Sequence, residues 1–312
     1  MSTISPIYGP VPSRRLGRSL GIDLVPFKTC SYDCIYCQLG RTTCKTLRRR
    51  RWLDTSELVG RVWQRLETEP DVVALAGSGE PTLHTGLDRL IGGIKAISDV
   101  PVAVVTNGSL LGRRSVQREL AEADIVLPSL DAADPELFRA VNRPHPRLSL
   151  AGLVEGIGAF RQAFCGQIWL EVMLIEGVTD DDEEVERLAA LAAMLEPDRI
   201  QLNTVVRPPA ETHVRPMSPG RLQALAAAFR PAAEVIAGAP DGPVDGTLTS
   251  AQVLGLISRR SCTAADAAAG LAVHRTVALK ALDQLVESGF ARRREHEGSW
   301  YYSAAASRRE EA

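Results

Sequence analysis

Outside one short stretch, cysteine is scarce in this chain. Its 312 residues include 6 cysteines, 5 histidines, 4 methionines and 5% aromatic residues. The first 29 positions hold no cysteine at all. So few thiols exclude a disulfide-dense secreted scaffold, and in a reducing compartment clustered cysteines are metal ligands more often than bridges. Long apolar runs are missing too. The longest, around Ile168 to Ile175, is far short of the roughly 20 residues a membrane-spanning helix needs, and residues 1–20 lack the apolar core of a signal peptide. A soluble, cytoplasmic protein with no membrane partner is expected. Net charge is also slight: 36 Lys and Arg against 38 Asp and Glu leave −2. With 45% hydrophobic and 24% charged residues, a largely disordered chain is excluded, and the length suffices for one large core plus a small second domain.

What is present alternates. Short apolar, β-branched runs recur at Leu20–Phe27, Val72–Ala76, Val102–Thr106, Ile125–Leu130, Ile168–Ile175, Ile200–Val206 and, less clearly, Glu234–Ala237. Between them lie helical spacings: Leu58, Val62 and Leu66 behind Asp54-Thr-Ser-Glu57; Leu87, Leu90, Ile91 and Ile94; and Val185, Leu188, Leu191 and Leu195 behind the acidic run Asp180–Glu184. Those acidic residues suit helix N-termini. Six or seven strand-then-helix units, with strands apolar on both faces, indicate a parallel sheet covered by helices. The fold expected is α/β, a partial (β/α)6 TIM-type barrel over residues 1–237, with chemistry at the carboxyl ends of the strands.

Residues 238–248 are rich in Gly and Pro and read as a linker. Beyond it the pattern changes. Helices are expected from Thr249-Ser250 through Ile257, over Thr263–Ala269 and over His274–Ser288; two strands, Phe290–Arg294 and Ser299–Ser303, turn at Glu297-Gly298. Three helices and a hairpin in residues 249–306 resemble a winged helix-turn-helix, followed by a polar tail at 307–312. His274, Arg275, Lys280 and Arg292–Arg294 there, and Arg48–Arg51 beside Trp52, would suit the phosphates of nucleic acid such as tRNA. A peptide partner or a solvated charged face fits the same residues.

The exceptional stretch is Phe27-Lys-Thr-Cys30-Ser-Tyr-Asp-Cys34-Ile-Tyr-Cys37-Gln-Leu-Gly40. Three thiolates that close can converge on a 4Fe-4S cluster and leave one iron without a protein ligand. A zinc site would want a fourth ligand, for which Cys44 is the nearby candidate. The remaining cysteines are separate; Cys165 reads as a buried apolar filler.

Polar residues follow the strands. Gly77-Ser78-Gly79-Glu80 comes after Val72–Ala76, Thr106-Asn107-Gly108 ends the next strand, Ser129-Leu130-Asp131 the one after, and Gln201-Leu-Asn203 the sixth. Glycines admit close approach of backbone to a ligand. Short Asn, Ser and Asp side chains can hold a ligand or cap helices and turns. Arg143, His145, Arg207, Glu211 and His213 are candidates for substrate contact, with surface ion pairing as the alternative.

The spacing Cys30-x3-Cys34-x2-Cys37, with Tyr36 before the last cysteine, resembles the radical S-adenosylmethionine (SAM) superfamily, and Gly77–Glu80 resembles its GGE element with Ser78 in the middle. The resemblance implies Cys30, Cys34 and Cys37 as cluster ligands. It places Tyr36, Gly77, Ser78, Gly79, Glu80, Asn107, Ser129, Asp131 and Asn203 around SAM, with Glu171–Thr179 bordering the adenine. It further implies reductive cleavage of SAM to a 5'-deoxyadenosyl radical, hydrogen abstraction from a substrate, no catalytic residue beyond the cluster, and an electron donor such as flavodoxin or ferredoxin. Pro12–Gly17, Asn142–Pro146 and Arg207–Glu211 are similar to the group near the wyosine (tRNA-base) synthases, although the upstream cysteines that hold those enzymes' second cluster are missing here. A reading from another class is an iron-sulfur DNA-binding regulator working through the winged helix.

Overall fold

The computed structural model describes residues 5–236, 250–271, 273 and 275–305. The whole expected linker (238–248), the polar tail, Thr249 and His274 lie outside them. In chain order the strands are β1 (Ile7–Ser13), β2 (Gly17–Ile22), β3 (Thr29–Cys30), β4 (Cys44–Lys45), β5 (Val72–Leu75), β6 (Val102–Thr106), β7 (Ile125–Pro128), β8 (Gln167–Met173), β9 (Arg199–Asn203), β10 (Glu234–Val235), β11 (Ala291–His296) and β12 (Ser299–Ala304). The α-helices are α1 (Thr55–Trp63), α2 (Leu87–Lys95), α3 (Arg114–Leu120), α4 (Pro135–Asn142), α5 (Leu150–Ala163), α6 (Asp182–Met194), α7 (Pro219–Ala226), α8 (Ser250–Ile257), α9 (Ala264–Leu271) and α10 (Arg275–Glu287).

Eight strands form one sheet in the order β1-β2-β5-β6-β7-β8-β9-β10. All neighbours pair parallel except β1, which runs antiparallel to β2 at the edge. The period-2 alternation of a strand divides its apolar residues between two cores. Val73 and Leu75 join the large cluster packed with helix residues such as Leu58, Leu90 and Ile157. Val72 and Ala74 join a small inner cluster with Leu16, Ala103, Leu127 and Trp169. The result is an α/β fold, TIM-barrel-like and largely parallel.

Helix starts follow their caps. Asp54 accepts from the Ser56 and Glu57 amides, and Asp181 from those of Glu183 and Glu184, so the acidic run serves as a cap. Two expectations shift. β1 was not anticipated, and the strand expected at Leu20–Phe27 ends at Ile22. Leu24 and Val25 remain buried beyond the ladder, and Phe27 emerges 53% exposed.

In the C-terminal part, α8, α9 and α10 gather with the β11–β12 hairpin around Val253, Leu256, Ile257, Ala267, Leu282 and Tyr302. The hairpin turns through Glu297 and Gly298 at φ 50 and 70, the left-handed geometry of tight hairpins. This cluster includes Val11 of β1, with Tyr8 packed against it. Gly21 makes room for Tyr8, whose ring would lie 2.1 Å from a Cβ there.

Candidate active site

The cysteine loop leaves β2 and is framed by β3 and β4, which pair parallel. The end of α4 fixes its middle: the Asp33 and Ile35 amides donate to the Asn142 and Val141 carbonyls at 3.0 and 2.9 Å. Tyr32 and Ile35 anchor it by burial, Tyr32 edge-on to Phe138 with centroids 5.6 Å apart. Cys30, Cys34 and Cys37 are all free and part-buried. Each sulfur has an N–H donor. The Tyr32 amide and Asn107 Nδ2 lie 3.4 and 3.5 Å from Cys30 Sγ, Asn142 Nδ2 is 3.6 Å from Cys34 Sγ, and Lys28 Nζ is 3.2 Å from Cys37 Sγ.

Those donors suit sulfur that carries negative charge. Without a cation, burial pushes the Cys30 thiol up to about 12, with Glu80 adding to the effect. Burial first, then Asp131 and the other two cysteines, holds Cys34 well above the ordinary thiol range. The site thus asks for positive charge among the sulfurs, as iron would supply. Among the described residues no three His, Cys, Asp or Glu side chains close on a single metal ion. Cys44, the fourth ligand a zinc site would need, is exposed. A cluster spreads its thiolates over several irons and fits this donor set better.

Gly77–Glu80 lies against the loop. The Glu80 amide donates to the Thr29 carbonyl at 3.0 Å, and that oxygen would sit 2.1 Å from a Cβ on Gly79, so only glycine permits the approach. The Lys28 amide donates to the Ser78 carbonyl at 2.7 Å. Asp23 accepts from the Ser78 amide at 3.0 Å and from its hydroxyl. Glu80 is buried and accepts from the Thr82 amide and hydroxyl, the Thr106 hydroxyl and the Asn107 amide at 2.5 to 3.0 Å. Burial raises its carboxyl and these bonds oppose the rise.

Asn107 donates to Ser31 Oγ at 2.8 Å and stands over the first cysteine. Asp131 accepts from Tyr36 Oη at 2.5 Å, Asn142 Nδ2 at 2.6 Å and the Met173 amide at 3.1 Å. It braces the loop against β8, and burial pushes its carboxyl up to about 6. Ser129 is half-buried and bridges the Glu171 backbone. Asn203 belongs to a separate polar group: its Oδ1 accepts from Arg14 at 2.9 Å, its Nδ2 donates to Glu171 at 2.8 Å, and Arg15 pairs with Glu171. The structure thus brings Tyr36, Gly77–Glu80, Asn107 and Asp131 around the three cysteines and sets Asn203 in a network with Arg14 and Arg15.

Lys28, Asp23 and Asn142 were assigned no role in the sequence. Lys28 is 3% exposed at φ 57, and a residue so buried and so unusual in backbone leaves no compositional signal. Other residues singled out in the sequence have partners of their own or lie at the surface. Glu211 pairs with Arg143 at 2.5 Å and Arg41 at 2.7 Å, and those guanidiniums hold its carboxyl below the usual range. The His145 amide donates to the Ser31 carbonyl, and His213 is exposed. Arg49, in the basic run, is bound to Glu119 at 2.7 Å. Cys165, expected as a buried filler, is exposed instead, because it lies on the turn between α5 and β8 and Phe164 fills the core there.

The sequence profile of the Radical SAM superfamily matches residues 24–189, more than half of the chain. The chain belongs to the radical SAM superfamily. Members of this superfamily bind a 4Fe-4S cluster and SAM for radical chemistry. A UPF0026 protein of Methanocaldococcus jannaschii is 37% identical over 213 residues, which are 67% of this chain and 66% of that protein. A Brachyspira hyodysenteriae protein named GTPase Obg is 41% identical over 203 residues, 64% of this chain; the match spans only 30% of that protein's length. The crystal structure of a radical SAM methyltransferase from Sphaerobacter thermophilus superposes with a TM-score of 0.52 at 20% identity, covering 70% of this chain and 66% of that one. That likeness is one of fold.

Proposed function

We propose that this chain is a radical SAM enzyme that removes a hydrogen atom from a substrate held over the barrel mouth. One observation carries the reading: three free thiols on one loop, each with an N–H donor at its sulfur. Cys30, Cys34 and Cys37 would hold the cluster. When bound, cluster and SAM supply the one-electron cleavage that starts the radical reaction. Gly77–Glu80 and Asn107 line the same side and would hold SAM, with Glu80 an acceptor for its ammonium group. Tyr36, Asp131 and Asn142 keep the loop in place, and Ser129 and Asn203 lie farther round the strand ends. Asn203, Glu171, Arg14 and Arg15 form a polar group suited to orient substrate.

In this proposal residues 249–306 form a winged-helix-like unit that presents the substrate, and a flavodoxin or ferredoxin supplies the electron. Pro12–Gly17, Asn142–Pro146 and Arg207–Glu211 support a relation to the wyosine-synthase group. Membership of an enzyme superfamily and polar residues after successive strands both favour an enzyme over a cluster-bearing regulator. The test is anaerobic reconstitution with iron and sulfide, then SAM and a strong reductant. Formation of 5'-deoxyadenosine is expected; a fully loaded cluster that leaves SAM intact overturns the proposal.

A further inference from the structure

A cleft of about 420 Å³ lies between the cysteine loop and the C-terminal helices and hairpin. Phe27 and Gln38–Gly40 form one side, and the Gly40 amide donates to the Cys37 carbonyl at 3.0 Å. The other side carries five arginines: Arg259, Arg260, Arg292, Arg293 and Arg294. Among the described residues no Asp or Glu lines it. In a chain whose net charge is −2, that concentration of cation is local to the cleft.

Two of the five are committed to the fold. Arg259 is buried, donates to the Gly255 and Ser5 carbonyls and lies 4.6 Å from the Tyr8 ring. Arg293 leans on Trp300 at 4.9 Å and pairs with Asp283 at 3.8 Å. The other three are open. Among the described residues Arg260, Arg292 and Arg294 have no carboxylate partner, and the only side-chain hydrogen bond is from Arg292 to Ser303 at 3.4 Å. Behind them Arg207 is 3.7 Å from Asp266; burial and then Arg260 make it harder to keep protonated. Cations gathered this way repel one another, and an anion in the cleft relieves the repulsion.

Planar guanidiniums match phosphate oxygens in pairs. One open aromatic face accompanies them: Phe27 in the cleft wall, 53% exposed, with Tyr301 also lining the cleft. Guanidiniums beside an open aromatic ring suit phosphates joined to an unstacked base. We infer that the cleft binds the phosphate groups of a nucleotide-bearing ligand, through Arg260, Arg292 and Arg294, and anchors it beside the cysteine loop. Its use as a substrate anchor rests on the proposed radical reaction; the binding site does not.

Two sources share this chemistry, a single-stranded RNA and a free nucleotide. Fluorescence anisotropy of a short labelled single-stranded RNA, and calorimetry with ATP, separate them on the full-length protein. Wild type is compared with the triple variant R260A/R292A/R294A and with R89A, a substitution at an exposed arginine on α2; iron content and thermal midpoint check that each is folded. RNA affinity is expected to fall at least ~10-fold in the triple variant, and the slope of log K against log salt to shrink by about 2, as loss of three phosphate contacts on a single strand implies. R89A should bind as wild type does. ATP binding with the same arginine dependence, and no RNA binding, supports the site with a free nucleotide as its ligand. Equal RNA and ATP binding by wild type and triple variant overturns the inference, as does displacement of RNA by polyglutamate as readily as by unlabelled RNA. SAM cleavage by the wild type is measured separately: its absence counts against the radical reaction and leaves the binding result standing.

Discussion

Lys28 shows what a single residue contributes at the cysteine loop. Its ammonium is buried 3.2 Å from Cys37 Sγ, and among the described residues no carboxylate pairs with it. A buried cation without a counter-ion is costly, whereas a thiolate-bound cluster is an anion and provides one. Positive charge and hydrogen bonding at the sulfurs raise a cluster's reduction potential. Lys28→Met should therefore make the potential more negative in an EPR-monitored redox titration, while Lys28→Arg stays near wild type. Each of Cys30→Ala, Cys34→Ala and Cys37→Ala should reduce iron and sulfide after reconstitution to background; Cys165→Ala, at an exposed thiol, should leave both unchanged. His84 provides a test away from the sulfurs. It is fully buried, and its Nδ1 accepts from the Trp52 amide at 3.3 Å. Burial pushes its pKa from the ordinary 6.5 down to about 4; Glu119 opposes the fall, and Arg51 and Arg49 add to it. The folded form therefore keeps His84 neutral where the unfolded chain would protonate it. That contribution is present above pH 6.5 and is lost as pH falls from 6.5 through 4, by ~3 kcal/mol in all. Urea unfolding of cluster-free protein should show wild type losing stability over this window relative to His84→Gln.

At the scale of elements, the first turn of α6 couples two helices. Glu184 is buried and accepts from the Ala133 and Asp134 amides at 2.6 and 3.2 Å, in the loop that leads to α4. Asp134 in turn caps α4. Glu184→Ala strands two N–H groups, so its unfolding free energy should drop by about 1.5–3 kcal/mol; Asp181→Ala, which removes only a cap, should cost ~1 kcal/mol. Denaturant midpoints rank the two. The central strands were readable because β5, β6 and β8 are apolar on both faces, and their helices because Leu58, Val62, Leu90 and Ile94 repeat at helical spacing. β1 was not: Ile7-Tyr-Gly-Pro-Val-Pro-Ser13 alternates poorly and carries two prolines, as edge strands can. The residues that cover its Val11 lie about 240 or more residues away, from Val253 on, beyond any local pattern. The same holds at the site. Cys30, Cys34 and Cys37 announce themselves by spacing, whereas Asp23 and Asn142 meet the loop only when β2, β5 and α4 are assembled.

For the whole molecule, β1 is a wall shared by two cores: Ile7 belongs to the barrel's cluster and Val11 to that of the C-terminal helices. Removing residues 249–312 would uncover Val11 and Tyr8 and take Arg259 from the Tyr8 ring. The shortened chain should melt lower and bind a hydrophobic dye, rather than behave as an untouched barrel. Retention of the full-length midpoint by the truncated chain would refute that coupling. The arrangement also sets an order in time. On the ribosome β1 is made about 240 residues before its cover, α8 and α9, a delay on the order of tens of seconds at ordinary elongation rates. Until then a nascent chain carries an unfinished edge, and a protease sampling stalled chains should cut near Tyr8 before residue 271 has emerged and not after.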